Sequence, residues 1–152
     1  MNAQTHGIAW DDRLKLGNEQ VDAQHKRLFE LLSELVGQCI DGSNAEKLRE
    51  TLDFLVNYTI SHFYDEESIQ VQYNFPEYRK HKQMHEDFKK VVGGLVQRFN
   101  ESGSSKELSN DVNKVIVRWL ISHIRQEDKK IGEHISRMTA RTDVYHPFQG
   151  WA

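Results

Sequence analysis

The sequence predicts an all-α fold, an up-down-up-down antiparallel four-helix bundle with a C-terminal extension. Three observations predict it. Apolar residues recur at alternating steps of three and four along four long stretches, the spacing of a helix that buries one face. Only two prolines, Pro76 and Pro147, interrupt the 152 residues, and strong helix formers fill the stretches between small Gly and Ser clusters. Short connections between long helices force neighbours to run antiparallel. The length suits one domain whose core needs no disulfide. Residues 1–135 are read as that bundle and 136–152 as a tail that is not an independent domain.

The first stripe begins after Gly17 and runs Val21, His25, Leu28, Leu32 and Leu35, until Asp41 and Gly42 stop it. Ser43 and Glu46 have capping-box spacing and lead the second stripe, Leu48, Leu52, Leu55, Thr59, His62, Glu66 and Ile69. Pro76 is expected at a first helical position, ahead of His81, His85, Phe88, Val92, Leu95 and Phe99. The Ser- and Gly-rich segment 100–105 breaks that helix. Ser104 and Glu107 then predict a second capping box before Val112, Ile116, Trp119 or Leu120, His123 and Glu127.

These stripes are not wholly apolar. His25, His62, Glu66, His81, His85 and His123 occupy positions where the period demands burial, and each unsatisfied buried polar group costs about 1–3 kcal/mol. A single histidine on such a face is commonly a hydrogen-bonded core residue, but five on four helices need a shared partner. Residues four apart lie about 40° apart around a helix, so His62 with Glu66, and His81 with His85, each aim two donors at one point. His123 and Asp128 are five apart, about 140° on an ideal helix, and periodicity alone favours Glu127 as the fourth helix's acidic ligand. Imidazoles and carboxylates without thiolate suit iron or manganese rather than structural zinc. If two carboxylates bridge, five histidines and four carboxylate oxygens fill most of the roughly twelve positions around two octahedral ions. A single-oxygen bridge fills two more, and one position stays open on the ion with fewer histidines.

The stretches DAQHKRLF around His25, HFYDEE from His62, HKQMH from His81 and HIRQED from His123 resemble the hemerythrin family. The resemblance runs from Trp10 to about Ile135, and its ordered set of motifs is highly specific. It implies a bundle with His81, His85 and His123 on one iron, His25 and His62 on the other, and Glu66 and Asp128 bridging, which makes Asp128 rather than Glu127 the ligand. It further implies two iron ions (Fe2+/Fe3+) joined by an oxo or hydroxo group, and reversible binding of dioxygen for storage, transport or delivery. Family members commonly have Leu-Met and Tyr-Pro where this chain has Ile69-Gln70 and Phe75-Pro76. Gln70 is expected to face solvent, and the aromatic tail, Tyr145, His146, Pro147, Phe148 and Trp151, to cap the bundle or dock a partner.

Other features argue for plain roles. His6, His134 and His146 are read as surface histidines, Trp10 and Trp119 as packing near the core, Cys39 as a small filler, and Leu28 with Ile69 as the apolar wall of the open position. The formal charge of −3, with no concentrated basic face, argues against nucleic acid. No apolar run reaches the roughly 20 residues that span a bilayer, so no membrane insertion is expected. A single cysteine and a start without secretory character point to the cytoplasm. The chain is expected to be a carrier and not an enzyme, because oxygen-activating di-iron sites are richer in carboxylate. The competing readings are a di-iron oxidase and an oxygen sensor that signals to a protein partner.

Overall fold

The computed structural model describes residues 8–41 and 45–144, with side chains for 8–38 and 45–140. After a 3-10 turn at Asp12–Leu14 come three helices: α1, Glu19–Asp41, α2, Ala45–Gln72, and α3, Tyr78–Ser102. The fourth, α4, is one rod from 106 to 144 made of five pieces. Helical Lys106–Val112, Arg118–Ser122 and Lys129–Val144 alternate with π-helical Asn113–Val117 and His123–Asp128. Successive helices pack on one another and α1 also meets α4 at Asn113–Val117, which closes the four-helix bundle. No described helix is long and apolar enough to cross a membrane.

Helix ends show where local chemistry departs from the expected punctuation. Asn18 Oδ1 accepts the Val21 amide at 3.1 Å and closes the first turn of α1. The Ser43 capping box lies outside the described residues. Pro76 is not a first helical residue: Phe75 O accepts the Tyr78 amide at 3.2 Å. Proline thus takes the second position of a turn, which its φ favours, and α3 starts after it. Gly103, at φ 72, ends α3 by donating its amide to Phe99 O. The cap of α4 is Ser105 and not Ser104. Its extended backbone turns the hydroxyl onto the Leu108 amide at 3.0 Å, one residue later than the predicted box.

Every apolar stripe position named above is buried except Trp119, which is half-buried beside buried Leu120. The core falls into two apolar clusters. The larger holds Leu28, Leu32, Leu55, Phe63, Phe88 and Leu120, and the smaller Leu16, Val21, Ile69, Phe75, Ile131 and Ile135. Helices α1, α2 and α4 pass between them at their polar residues: Val21 to Leu28 across His25, Phe63 to Ile69 across Glu66, and Ile124 to Ile131 across Asp128. The bundle therefore carries a polar layer sandwiched between two apolar ones.

An arm before α1 seals the smaller cluster. Asp22 accepts the amides of Leu16 at 2.7 Å and Gly17 at 3.2 Å, laying Leu16 against Gly132 of α4. A Cβ at Gly132 would lie 2.9 Å from Leu16 Cα, backbone that must lift to make room. Gly132→Ala is expected to lose about 1–3 kcal/mol of stability in urea unfolding, and wild-type stability would show that the arm is not held there. At the far end α4 continues as helix to Val144, so the first part of the expected tail prolongs the fourth helix. The aromatic residues from Tyr145 to Trp151 lie outside the described residues.

Candidate metal centre

The polar layer gathers all seven expected residues: His25 from α1, His62 and Glu66 from α2, His81 and His85 from α3, His123 and Asp128 from α4. All are buried, with His25, Glu66 and His85 at 0% exposure and Asp128 at 1%. The two residues of α4 converge because His123–Asp128 is π-helical. A π turn holds one more residue than an α turn, so positions five apart share a face there. Glu127, favoured by the ideal period, is half-buried instead and pairs with Lys130 Nζ at 3.2 Å.

Each carboxylate divides its oxygens between two groups of imidazoles. Glu66 Oε1 lies 2.9 Å from His81 Nε2 and 3.5 Å from His85 Nε2. Asp128 Oδ1 lies 3.0 Å from His81 Nε2 and 3.1 Å from His123 Nε2. On the other side Glu66 Oε2 lies 3.1 Å from His25 Nε2 and 3.0 Å from His62 Nε2. Asp128 Oδ2 is 3.1 Å from His25 Nε2. The donor atoms of Glu66, His81, His85, His123 and Asp128 fall within 4.8 Å of one another, as do those of His25, His62, Glu66 and Asp128.

Hydrogen bonding does not account for this convergence. Both Asp128 oxygens are buried without a hydrogen-bond partner although imidazole nitrogens lie near them, because the approach directions are wrong. His123 Nε2 faces His81 Nε2 at 3.0 Å and His85 Nε2 at 3.1 Å, three ring nitrogens gathered closely enough to share one ion. Adjacent ligands around an octahedral ion with bonds of about 2.1 Å sit about 3.0 Å apart. The residues therefore fit metal ions, and the lack of thiolate fits iron.

The electrostatics follow from burying anions among imidazoles. Burial resists charge on His25, but the adjacent Asp128 and Glu66 carboxylates outweigh it and raise its pKa to about 9. The same balance raises His81 to about 10. At His62 burial wins and the pKa falls. Glu66 and Asp128 are held below the ordinary carboxylate range, since the surrounding imidazoles overcome the cost of burial.

Aromatic rings brace the site. Phe63 stacks on His85 at 3.7 Å and Trp119 on His123 at 4.4 Å, so Trp119 contacts the site directly, whereas Trp10 packs edge-on against Phe29. Three other expectations are corrected. Gln70 is not solvent-facing but wholly buried, one turn beyond Glu66, with neither amide atom partnered. His134 is not a free surface group, since its Nε2 donates to Tyr73 O at 2.8 Å and ties α4 to the α2–α3 turn. Leu28 and Ile69 belong to the two different clusters, on opposite sides of the polar layer, and cannot wall one pocket together. His6 and His146, and the side chain of Cys39, lie outside the described residues. Gln24, whose amide meets His62 Nδ1 at 2.7 Å, was not singled out. Its place beside His25 in DAQHKRLF was the available signal.

Buried histidines and shared carboxylates converging between four helices define a metal-binding helical bundle. Residues 16–135 match the Hemerythrin HHE cation binding domain, and the chain belongs to the hemerythrin family. It is 30% identical over 145 residues to a bacteriohemerythrin of Stenotrophomonas maltophilia, covering 95% of this chain and 92% of that protein. A bacteriohemerythrin of Pseudomonas paraeruginosa is 31% identical over 121 residues, 80% of this chain and 76% of its own. A hemerythrin-like protein of Naegleria gruberi is 32% identical over 121 residues, 80% and 87% of the two chains.

Proposed function

We propose that this protein reversibly binds dioxygen at two iron ions, one held by His81, His85 and His123, the other by His25 and His62, with Glu66 and Asp128 bridging. The observation that carries the reading is the division of each carboxylate's two oxygens between a group of three imidazoles and a group of two. Two iron ions held by these residues would supply the two electrons that dioxygen takes on binding and gives back on release.

The residues do the rest. The imidazoles would hold the ions through Nε2, and the two carboxylates would offset the cationic charge inside an otherwise apolar interior. Three histidines fill one side, and the pair His25 and His62 leaves room for a small ligand on the other. Leu28, one turn beyond His25 and 0% exposed, screens that side from water and protons. Histidine-rich ligation favours a carrier over an oxidase, and a single cysteine is compatible with a reducing cytoplasm. Stopped-flow mixing of the ferrous-loaded protein with dioxygen separates the two: a carrier gives a long-lived spectrum that reverses on deoxygenation, an oxidase gives irreversible turnover.

Leu28→Ser tests the screen. It is expected to retain most of its iron while shortening the lifetime of the oxygenated protein about tenfold, a loss of roughly 1.4 kcal/mol in the barrier to autoxidation. Full iron loading with an unchanged lifetime would remove Leu28 from this role.

A further inference from the structure

Gln24 precedes His25 on α1, yet its side chain serves His62 across the interface with α2. The Nδ1–H of His62 donates to Gln24 Oε1 at 2.7 Å, and Gln24 Nε2 donates to Asp65 Oδ2 at 2.8 Å. Gln20 Nε2 reaches the same Asp65 oxygen at 3.5 Å. An amide can present either end, whereas a carboxylate only accepts. Asp65 therefore takes the NH2 end of Gln24 and turns its oxygen toward the imidazole. With its proton held on Nδ1, His62 keeps its lone pair on Nε2, the atom 3.0 Å from Glu66 Oε2. The contrast lies within the same site: Nδ1 of His25 and of His85 have no hydrogen-bond partner, and Glu67 Oε1 stands 3.9 Å from the latter.

We infer that Asp65 and Gln24 form a positioning relay that holds His62 as the Nδ1–H tautomer and thereby sets the grip on the metal ion carried by His25 and His62. Partners of ligating histidines of this kind commonly alter metal affinity 10- to 100-fold. Gln24 touches no ion itself and acts through His62. The relay lies on the two-histidine side, so it bears on the ion with the open position, and the inference rests on the di-iron reading above.

The test titrates ferrous iron anaerobically into metal-free, full-length protein in three forms: wild type, Gln24→Leu, and the double variant Gln24→Glu/Asp65→Asn. In the double variant the new carboxylate accepts from both His62 and the new amide, so donor and acceptor are exchanged while the chain of contacts persists. Wild type is expected to take up two ions. Gln24→Leu is expected to bind one as tightly as wild type and the other about 10- to 100-fold more weakly, and the double variant to recover most of that loss. Two wild-type affinities in Gln24→Leu would overturn the relay. A double variant as weak as Gln24→Leu would also overturn it, since Gln24 would then contribute packing alone. Nitrogen-15 NMR of the zinc-loaded protein reads the His62 Nδ1 proton independently of iron. Its loss of protection in Gln24→Leu and return in the double variant support the relay, and its persistence in Gln24→Leu overturns it. A wild type that takes one ferrous ion would instead defeat the di-iron reading, leaving the relay to be judged on that proton.

Discussion

Asp128→Ala and Glu66→Ala are each expected to cut bound iron from two ions to one or none, whereas Glu127→Ala keeps both. Asp128 and Glu66 each present one oxygen to the three-histidine group and one to the two-histidine group, so truncating either would remove a ligand from both of the proposed ions at once. It also leaves buried imidazoles without their counter-charge, the kind of loss that costs about 3–5 kcal/mol when one buried partner is removed. Glu127 faces outward to Lys130, a surface pair worth about 1 kcal/mol or less. Metal analysis of the three purified variants checks this. Iron lost from Glu127→Ala and retained by Asp128→Ala would reverse the assignment on α4.

Removing the metal with a chelator is expected to lower the thermal midpoint by about 8–16 °C. Ions present at about a thousand times their dissociation constant stabilise the fold by about 4 kcal/mol, and each kcal/mol moves the midpoint of a chain this size by about 2–4 °C. The metal-free protein should also acquire a distinctive pH dependence. His25 and His81, raised to about 9 and about 10, stabilise it fully below the unfolded value of about 6.5 and lose that contribution as pH rises through their folded values. Glu66 and Asp128 are lowered, so their contribution is present above about pH 4.5 and is lost as pH falls. His62, lowered by burial, opposes stability as pH drops below about 6.5, but His25, His81 and His85 pull the other way. Metal-free stability should thus decline from about pH 6.5 to 10. The metal-loaded protein is expected to lack this decline, because an imidazole must be deprotonated to hold a metal ion. Urea unfolding at pH 6, 8 and 9.5 with and without chelator measures both effects, and metal-free stability that rises over that range would refute the charge assignment.

The helices and most of the polar layer were legible because both rest on one period. Val21, His25, Leu28, Leu32 and Leu35 are all buried, and a histidine on such a stripe declares itself by its chemistry. The period failed where the backbone left it: the wide turn at His123–Asp128 makes Asp128 and not Glu127 face inward, and only the family motif anticipated this. Helix starts erred by a residue or two, at Pro76 and Ser104, because several nearby residues can cap and tertiary packing chooses among them. Gln24, Gln70 and His134 were missed or misjudged for a shared reason. Their roles depend on contacts across the bundle, such as Gln24 with Asp65, that no local pattern records. Leu28 and Ile69 were paired from spacing along single helices, which cannot tell on which side of the polar layer each lies.

The central claim, a di-iron pair that binds dioxygen reversibly, is tested most directly by one optical titration with metal analysis on the same sample. Anaerobic protein loaded with ferrous iron should contain two irons per chain, develop a visible charge-transfer band on exposure to dioxygen, and lose that band when dioxygen is removed, through repeated cycles. A sample that holds a single ion, or whose spectrum changes once and does not return, would contradict the account.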